Sequence, residues 1–197
     1  MTLELFEFDR KYGVNVGGCD EAGRGPIAGP VVVAACKMPT GYVIEGINDS
    51  KKISPVKREL LYDKILKCAQ YSIAIIDEKT IDEINILQAT KRAMSECVCS
   101  LNGVDIVLVD AVKLNLPVKT EAIIKGDALS YNIAAASIIA KVHRDRIMMQ
   151  MDKEYPQYGF ASHKGYGTKA HIEALLKYGP CPIHRRTFIK NFIKENV

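Results

Sequence analysis

The stretch Gly17-Gly18-Cys19-Asp20-Glu21-Ala22-Gly23-Arg24-Gly25-Pro26 constrains this chain more than any other. Two adjacent carboxylates follow a short strand-like run and give way at once to a glycine-flanked arginine. Neighbouring strand residues point to opposite faces, so Asp20 and Glu21 are expected to share a ligand only where the strand ends and its backbone turns. The glycines supply that turn and let backbone N–H groups approach a ligand closely. The pattern reads as a metal and phosphate site at a strand end. The remaining acids are judged by whether they can reach it.

Apolar runs at Val14 to Cys19, Val31 to Lys37, Tyr71 to Asp77, Asp105 to Asp110 and Glu121 to Lys125 predict five strands. Ser54 and Pro55 open a helix over Val56 to Ala69, with Ser as N-cap and Pro at the first helical position. Thr80 is expected to cap a helix to about Leu101, Ser130 one to about Lys153, and Thr168 one ending before Gly179-Pro180. Early strands on short connections favour antiparallel pairing, and a later strand reached through a helix favours parallel pairing. The expected fold is therefore α/β: a mixed five-stranded sheet flanked by helices, in one domain over residues 1–197 with a helical basic annex from about 155.

Two further acids belong with the pair. Asp110 ends one apolar run and Asp127 follows the next. Alone, each reads as a cap or a surface acid. Four acids at strand exits, two of them adjacent, reverse that weighting, because clustered carboxylates repel unless protonated or metal-bound; a hard divalent cation is implied. Asp145 lies too far along its helix for direct ligation and is expected to pair with neighbouring arginines. Gly23-Arg24-Gly25-Pro26-Ile27-Ala28 matches a dinucleotide-binding G-x-G-x-x-A, but that motif requires a helix at once, whereas Pro26, Gly29 and Pro30 lead into a valine-rich strand.

Composition excludes other classes. No apolar run approaches the length of a membrane span, and Glu4, Glu7 and Asp9 near the start are unlike a secretory signal, so a cytoplasmic chain with reduced thiols is expected. The six cysteines include no C-x-x-C pair, and the four histidines do not stand at zinc-ligand spacing; His163 and His184 read as surface residues. Charge is uneven: residues 161–197 hold seven basic and two acidic residues, the rest 20 basic and 21 acidic. A basic segment beside a near-neutral body fits a phosphate backbone or a solvated helix face equally well.

Taken together, the chain resembles ribonuclease HII, the bacterial type 2 RNase H. The resemblance is carried by Gly18 to Pro26, Asn48-Asp49-Ser50-Lys51-Lys52, Val109-Asp110-Ala111, Lys125-Gly126-Asp127-Ala128, Ala135 to Asp145, His163-Lys164-Gly165-Tyr166-Gly167-Thr168 and His184-Arg185-Arg186-Thr187-Phe188. Gly126 departs from the family's common alanine but remains small. The resemblance implies an RNase H-like fold and an endoribonuclease that cleaves the RNA strand of RNA·DNA hybrids and incises 5′ of single ribonucleotides in duplex DNA, leaving 3′-OH and 5′-phosphate ends. It implies Asp20, Glu21, Asp110 and Asp127 as catalytic carboxylates holding two Mg²⁺ or Mn²⁺ ions. It further implies Gly23, Arg24 and Gly25 as a backbone reader of the ribonucleotide 2′-OH, Tyr166 as a platform for the following deoxyribose, and Lys51 and the C-terminal basic residues as phosphate contacts. A monomer is expected. A junction resolvase on a related fold is the alternative.

Overall fold

Three valines followed by small residues at Val31–Lys37 build the most buried strand of a five-stranded sheet, covered on both faces. The structure, a computed structural model, describes residues 2–193. Its strands are β1 (Val16–Ala22), β2 (Val31–Lys37), β3 (Gln70–Ile76), β4 (Ile106–Asp110) and β5 (Thr120–Ile123), in the order β3-β2-β1-β4-β5. β1 pairs antiparallel with β2, and β2 with β3, while β4 runs parallel to β1 and β5 to β4. The mixed sheet is the expected one. β5 follows β4 through a loop without a helix, so that parallel step has no helical crossover to announce it.

The helices are α1 (Thr2–Arg10), α2 (Pro55–Cys68), α3 (Glu78–Ile84), α4 (Ile86–Cys99), α5 (Tyr131–Glu154), α6 (Phe160–His163), α7 (Lys169–Tyr178) and α8 (Arg186–Ile189). One sheet face packs Ala34 and Cys36 against Ala134, Ala135 and Ile138 of α5, with α1 and α2 around them. The other packs Cys19, Val33, Ala35, Val107 and Val109 against Ala93, Met94 and Cys97 of α4. The small face of α5 permits a close approach: a Cβ on Gly18 would stand 2.1 Å from the Asn132 carbonyl carbon. Gly18 therefore lets the start of α5 lie directly on β1, which sets the site at one end of the sheet.

Ser54, Ser130 and Thr168 cap α2, α5 and α7 as expected, accepting from Lys57, Ile133 and His171 N–H groups. Thr80 does not cap a long helix. Asp77 instead caps the short α3, accepting the Thr80 N–H at 2.7 Å, and the run breaks at Asn85, whose φ of 65° starts α4. A carboxylate out-competes the threonine as N-cap, and the Asn amide takes the left-handed turn at low cost. α1 carried no sequence signal strong enough to anticipate; it is fastened by Asp9, whose Oδ2 accepts the N–H and Nδ2 of Asn132 at 2.8 Å each.

Candidate active site

β1 outruns the strand expected from its apolar residues by three positions, to Ala22. Asp20 and Glu21 thus lie within it rather than beyond it. The register places Cys19 opposite Val109 on parallel β4, so one step further Asp20 and Asp110 stand side by side where β4 ends. Glu21 begins on the opposite face by alternation but reaches the same region: burial first and then the Asp110 charge raise its carboxyl, against Arg24 and Lys51, which lower it.

Backbone geometry at the exits brings Asp110 and Asp127 together. Ala111, directly after Asp110, adopts φ 52°, and Lys125 adopts φ 58°. Left-handed conformations at residues with a side chain are costly and concentrate at functional sites. The resulting fold-back lets Gly126 N–H donate to Asp110 Oδ1 at 2.7 Å and carries Asp127 into a 3-10 turn. Lys51, presented by a turn that Asp49 caps, donates to Asp127 Oδ2 at 3.2 Å.

The electrostatics are those of a crowded anionic cluster. Burial, then Glu21, Asp110 and Asp127, push the Asp20 carboxyl well above the usual range, against one stabilising N–H from Glu21 at 2.7 Å. Burial raises Glu21 and Asp110 as well, with Asp127 adding to the latter. Glu21 Oε2 is buried with no hydrogen-bond partner among the described residues. A buried, unpartnered carboxylate oxygen is costly unless a cation completes it. The donor set, all hard oxygen, fits Mg²⁺ or Mn²⁺. Among the described residues no three His, Cys, Asp or Glu side chains are drawn together tightly enough to enclose an ion by themselves. An ion that keeps waters and shares ligands with a substrate phosphate needs no such cage.

Beside the carboxylates, Gly23, Arg24, Gly25, Lys51 and Tyr166 line a cleft of about 300 Å³ together with Asp20 and Glu21. Tyr166 is half-exposed and adjoins Gly25, where an added Cβ would lie 3.7 Å from its ring. Gly23 has φ 100°, and a Cβ there would meet Arg144 Nε at 2.1 Å. The turn is held from behind by two buried guanidinium groups, which sequence reasoning missed as site elements. Arg185 donates to the carbonyls of Gly23, Arg24 and Gly29 at 2.6, 3.0 and 2.9 Å. Arg144 donates to those of Pro30, Lys164 and Ala28 at 2.9, 2.9 and 3.2 Å. With its carbonyls drawn inward, the 23–25 turn is pre-organised at the cleft. The only signal was position: each arginine lies in a motif whose purpose looked like charge.

Several expectations need correction. Arg185 is fully buried and engages carbonyls, so it is not a phosphate contact. His184 is buried, not at the surface, as is His171. Asp145 pairs with Lys141 at 2.7 Å and Arg58 at 3.6 Å rather than with its adjacent arginines, because the lysine one turn earlier and α2 face it while Arg144 turns to the backbone of the loop. Phe188 to Val197 is expected to pack on the annex, and α8 does pack Ile189 and Phe188 against Ile27 and Leu175; residues 194–197 lie outside the described residues.

A mixed sheet in this order, with carboxylates gathered at the exits of parallel β1 and β4 and a helix lying across them, defines an α/β protein of RNase H-like fold. The model of the family described as Ribonuclease HII matches residues 17–191, and the chain belongs to that family. Ribonuclease HII of Ruminiclostridium cellulolyticum is 59% identical over 198 residues, covering 97% of this chain and 78% of that protein. That of Acetivibrio thermocellus is 59% identical over 181 residues, covering 90% and 71%. The crystal structure of the ribonuclease H2 from Pyrococcus horikoshii superposes with a TM-score of 0.73 at 28% identity, covering 91% of this chain and 99% of that one. The protein is accordingly a nuclease of the type 2 RNase H family.

Proposed function

We propose that this ribonuclease H cleaves RNA in RNA·DNA hybrids and, more narrowly, incises 5′ of single ribonucleotides embedded in duplex DNA. The observation that carries the reading is the sharing of one cleft by Asp20, Glu21, the 23–25 turn, Lys51 and Tyr166. Asp20, Glu21, Asp110 and Asp127 would hold two divalent ions, Mg²⁺ or Mn²⁺. Bound ions supply an activated water and neutralise charge at the departing 3′ oxygen, giving 3′-OH and 5′-phosphate ends.

The chain's own residues do the selecting. The 2′-OH is the local difference between ribose and deoxyribose, and only a hydrogen-bonding group placed beside it can sense it. A turn fixed through its carbonyls offers backbone groups that do not move on binding, so the reader costs no reorganisation. Tyr166, beside Gly25, provides a flat apolar face for the next sugar. Arg24 and Lys51 add positive charge near the phosphates on either side.

The reading is tested with Tyr166→Ala on two substrates. Incision at an isolated ribonucleotide should fall by more than cleavage of a long hybrid, since a continuous RNA strand offers several registers. Equal losses on both substrates contradict the role given to Tyr166. Cutting of an all-DNA four-way junction, with the ribonucleotide duplex left intact, would support a resolvase instead.

A further inference from the structure

Behind Tyr166 lies a line of buried imidazoles that the reaction does not use. His184 Nδ1 accepts the Cys181 N–H at 3.0 Å, with the Cys181 thiol 3.1 Å away. Its proton is therefore on Nε2, which lies 3.1 Å from His171 Nε2 and donates to it. His171 in turn carries its proton on Nδ1 and donates to the Tyr166 carbonyl at 2.9 Å. His163 stacks on His171 at 4.3 Å between ring centroids, donates from Nε2 to the Tyr158 carbonyl, and accepts the Gly165 N–H at Nδ1. These partners fix the tautomers of His171 and His184.

We propose that His171 is a positioning residue for Tyr166: its Nδ1–H fixes the 165–166 turn and so the tyrosine ring in the cleft, while His184, held by Cys181, donates to its Nε2 and keeps the His171 proton on Nδ1. The inference rests on the junction-reading role given to Tyr166 above. Three independent tethers converge on this turn. Arg144 holds the Lys164 carbonyl, the Gly165 carbonyl accepts Ile27 and Ala28 N–H groups, and His171 holds Tyr166 itself. The first two also fasten the loop that follows Gly25, so the sugar platform and the 2′-OH reader are braced as one unit. Thr168 N–H shares the Tyr166 carbonyl at 2.8 Å, which leaves His171 as the side chain that sets its direction. Burial holds both His171 and His184 at about 4, with His163 adding to the effect on His171 and His171 to that on His184, so the line is intact at neutral pH.

Two replacements of one residue separate positioning from packing. Asn at 171 places an amide donor near ring Nδ1 and keeps the bond to Tyr166; Gln places its amide near Nε2 and loses it. The measured quantity is the ratio of single-ribonucleotide incision to long-hybrid cleavage. His171→Asn should hold that ratio near wild type, whereas His171→Gln should lower it about tenfold, the effect of one buried hydrogen bond. An unchanged ratio in both, or equal loss in both, overturns the inference. A second readout does not need activity: the Tyr166 ring resonances should match wild type in His171→Asn and shift in His171→Gln. If the wild-type protein leaves the single-ribonucleotide duplex intact, the functional reading falls, and these resonances alone decide the inference. Identical spectra for the two variants would then reject it.

Discussion

Lys51 Nζ lies 3.2 Å from Asp127 Oδ2, at the edge of a cluster where Asp20, Glu21 and Asp110 all resist ionisation. Burial alone would lower the Lys51 ammonium, but Asp127, Asp20 and Asp49 outweigh it and raise it. The lysine thus acts as a counter-cation for the carboxylates. Its side chain is 77% exposed, so the contact is a weak one.

Lys51→Ala should therefore bind Mn²⁺ more tightly in the absence of nucleic acid, by about two- to fivefold on the strength of an exposed ion pair. Binding of a phosphate-bearing substrate should weaken in the same variant. Calorimetry reads the first and a fluorescence titration the second. Weaker Mn²⁺ binding would show that Lys51 supports the ion rather than standing in for it.

Asp20→Asn should abolish cleavage and yet stabilise the metal-free protein. A carboxyl whose folded pKa is raised binds more protons in the native state, so its ionisation opposes folding as pH rises. Asn removes that charge and keeps an oxygen for the Glu21 N–H. The melting temperature at neutral pH should rise by about 2–4 °C for each kcal/mol relieved, and added Mg²⁺ should shift the variant less than wild type. A fall in melting temperature would contradict the repulsive cluster.

Arg185→Lys should damage recognition more than its conserved charge implies. An ammonium cannot span the carbonyls of Gly23, Arg24 and Gly29, which the planar guanidinium bridges. Cleavage of a ribonucleotide-containing duplex should drop by at least about tenfold, the effect of one lost buried charged bond. Steady-state kinetics with a melting curve for each variant checks this; wild-type rates would mean the turn holds itself.

Much of this arrangement was legible in the sequence. The four acids declared themselves because each ends or follows an apolar run, a signal that survives errors of two or three residues in strand limits. The cap residues Ser54, Ser130 and Thr168 were equally plain, since capping is a local contact. Arg144 and Arg185 were not legible as clamps. A buried guanidinium and a phosphate-binding one look alike in sequence, and only the carbonyls of residues distant in the chain distinguish them. The same holds for His171 and His184, whose partners meet through packing around Phe160.

Acid should weaken the C-terminal elements first. His171 and His184 have folded pKa values near 4, below the ordinary value of 6.5, so the unfolded chain binds more protons between those limits. Stability is then lost as pH falls from about 6.5 toward 4, and the two rings in contact titrate as a pair. Cys181, Tyr158, His163 and Arg186 also face them, together with the Lys79, Asp82 and Glu83 side of the neighbouring groove. Hydrogen exchange at pH 7 and pH 5 should show faster opening of α7 at the lower pH. Equal protection at both would contradict it.

The most direct test of the account is the mapping of the cut in a DNA duplex bearing one ribonucleotide, incubated with Mg²⁺ or Mn²⁺. A single break on the 5′ side of the ribonucleotide, with 3′-OH and 5′-phosphate ends and none in Asp20→Asn, is the predicted result. An intact duplex under conditions where a long hybrid is cleaved, or a break insensitive to Asp20→Asn, would contradict it.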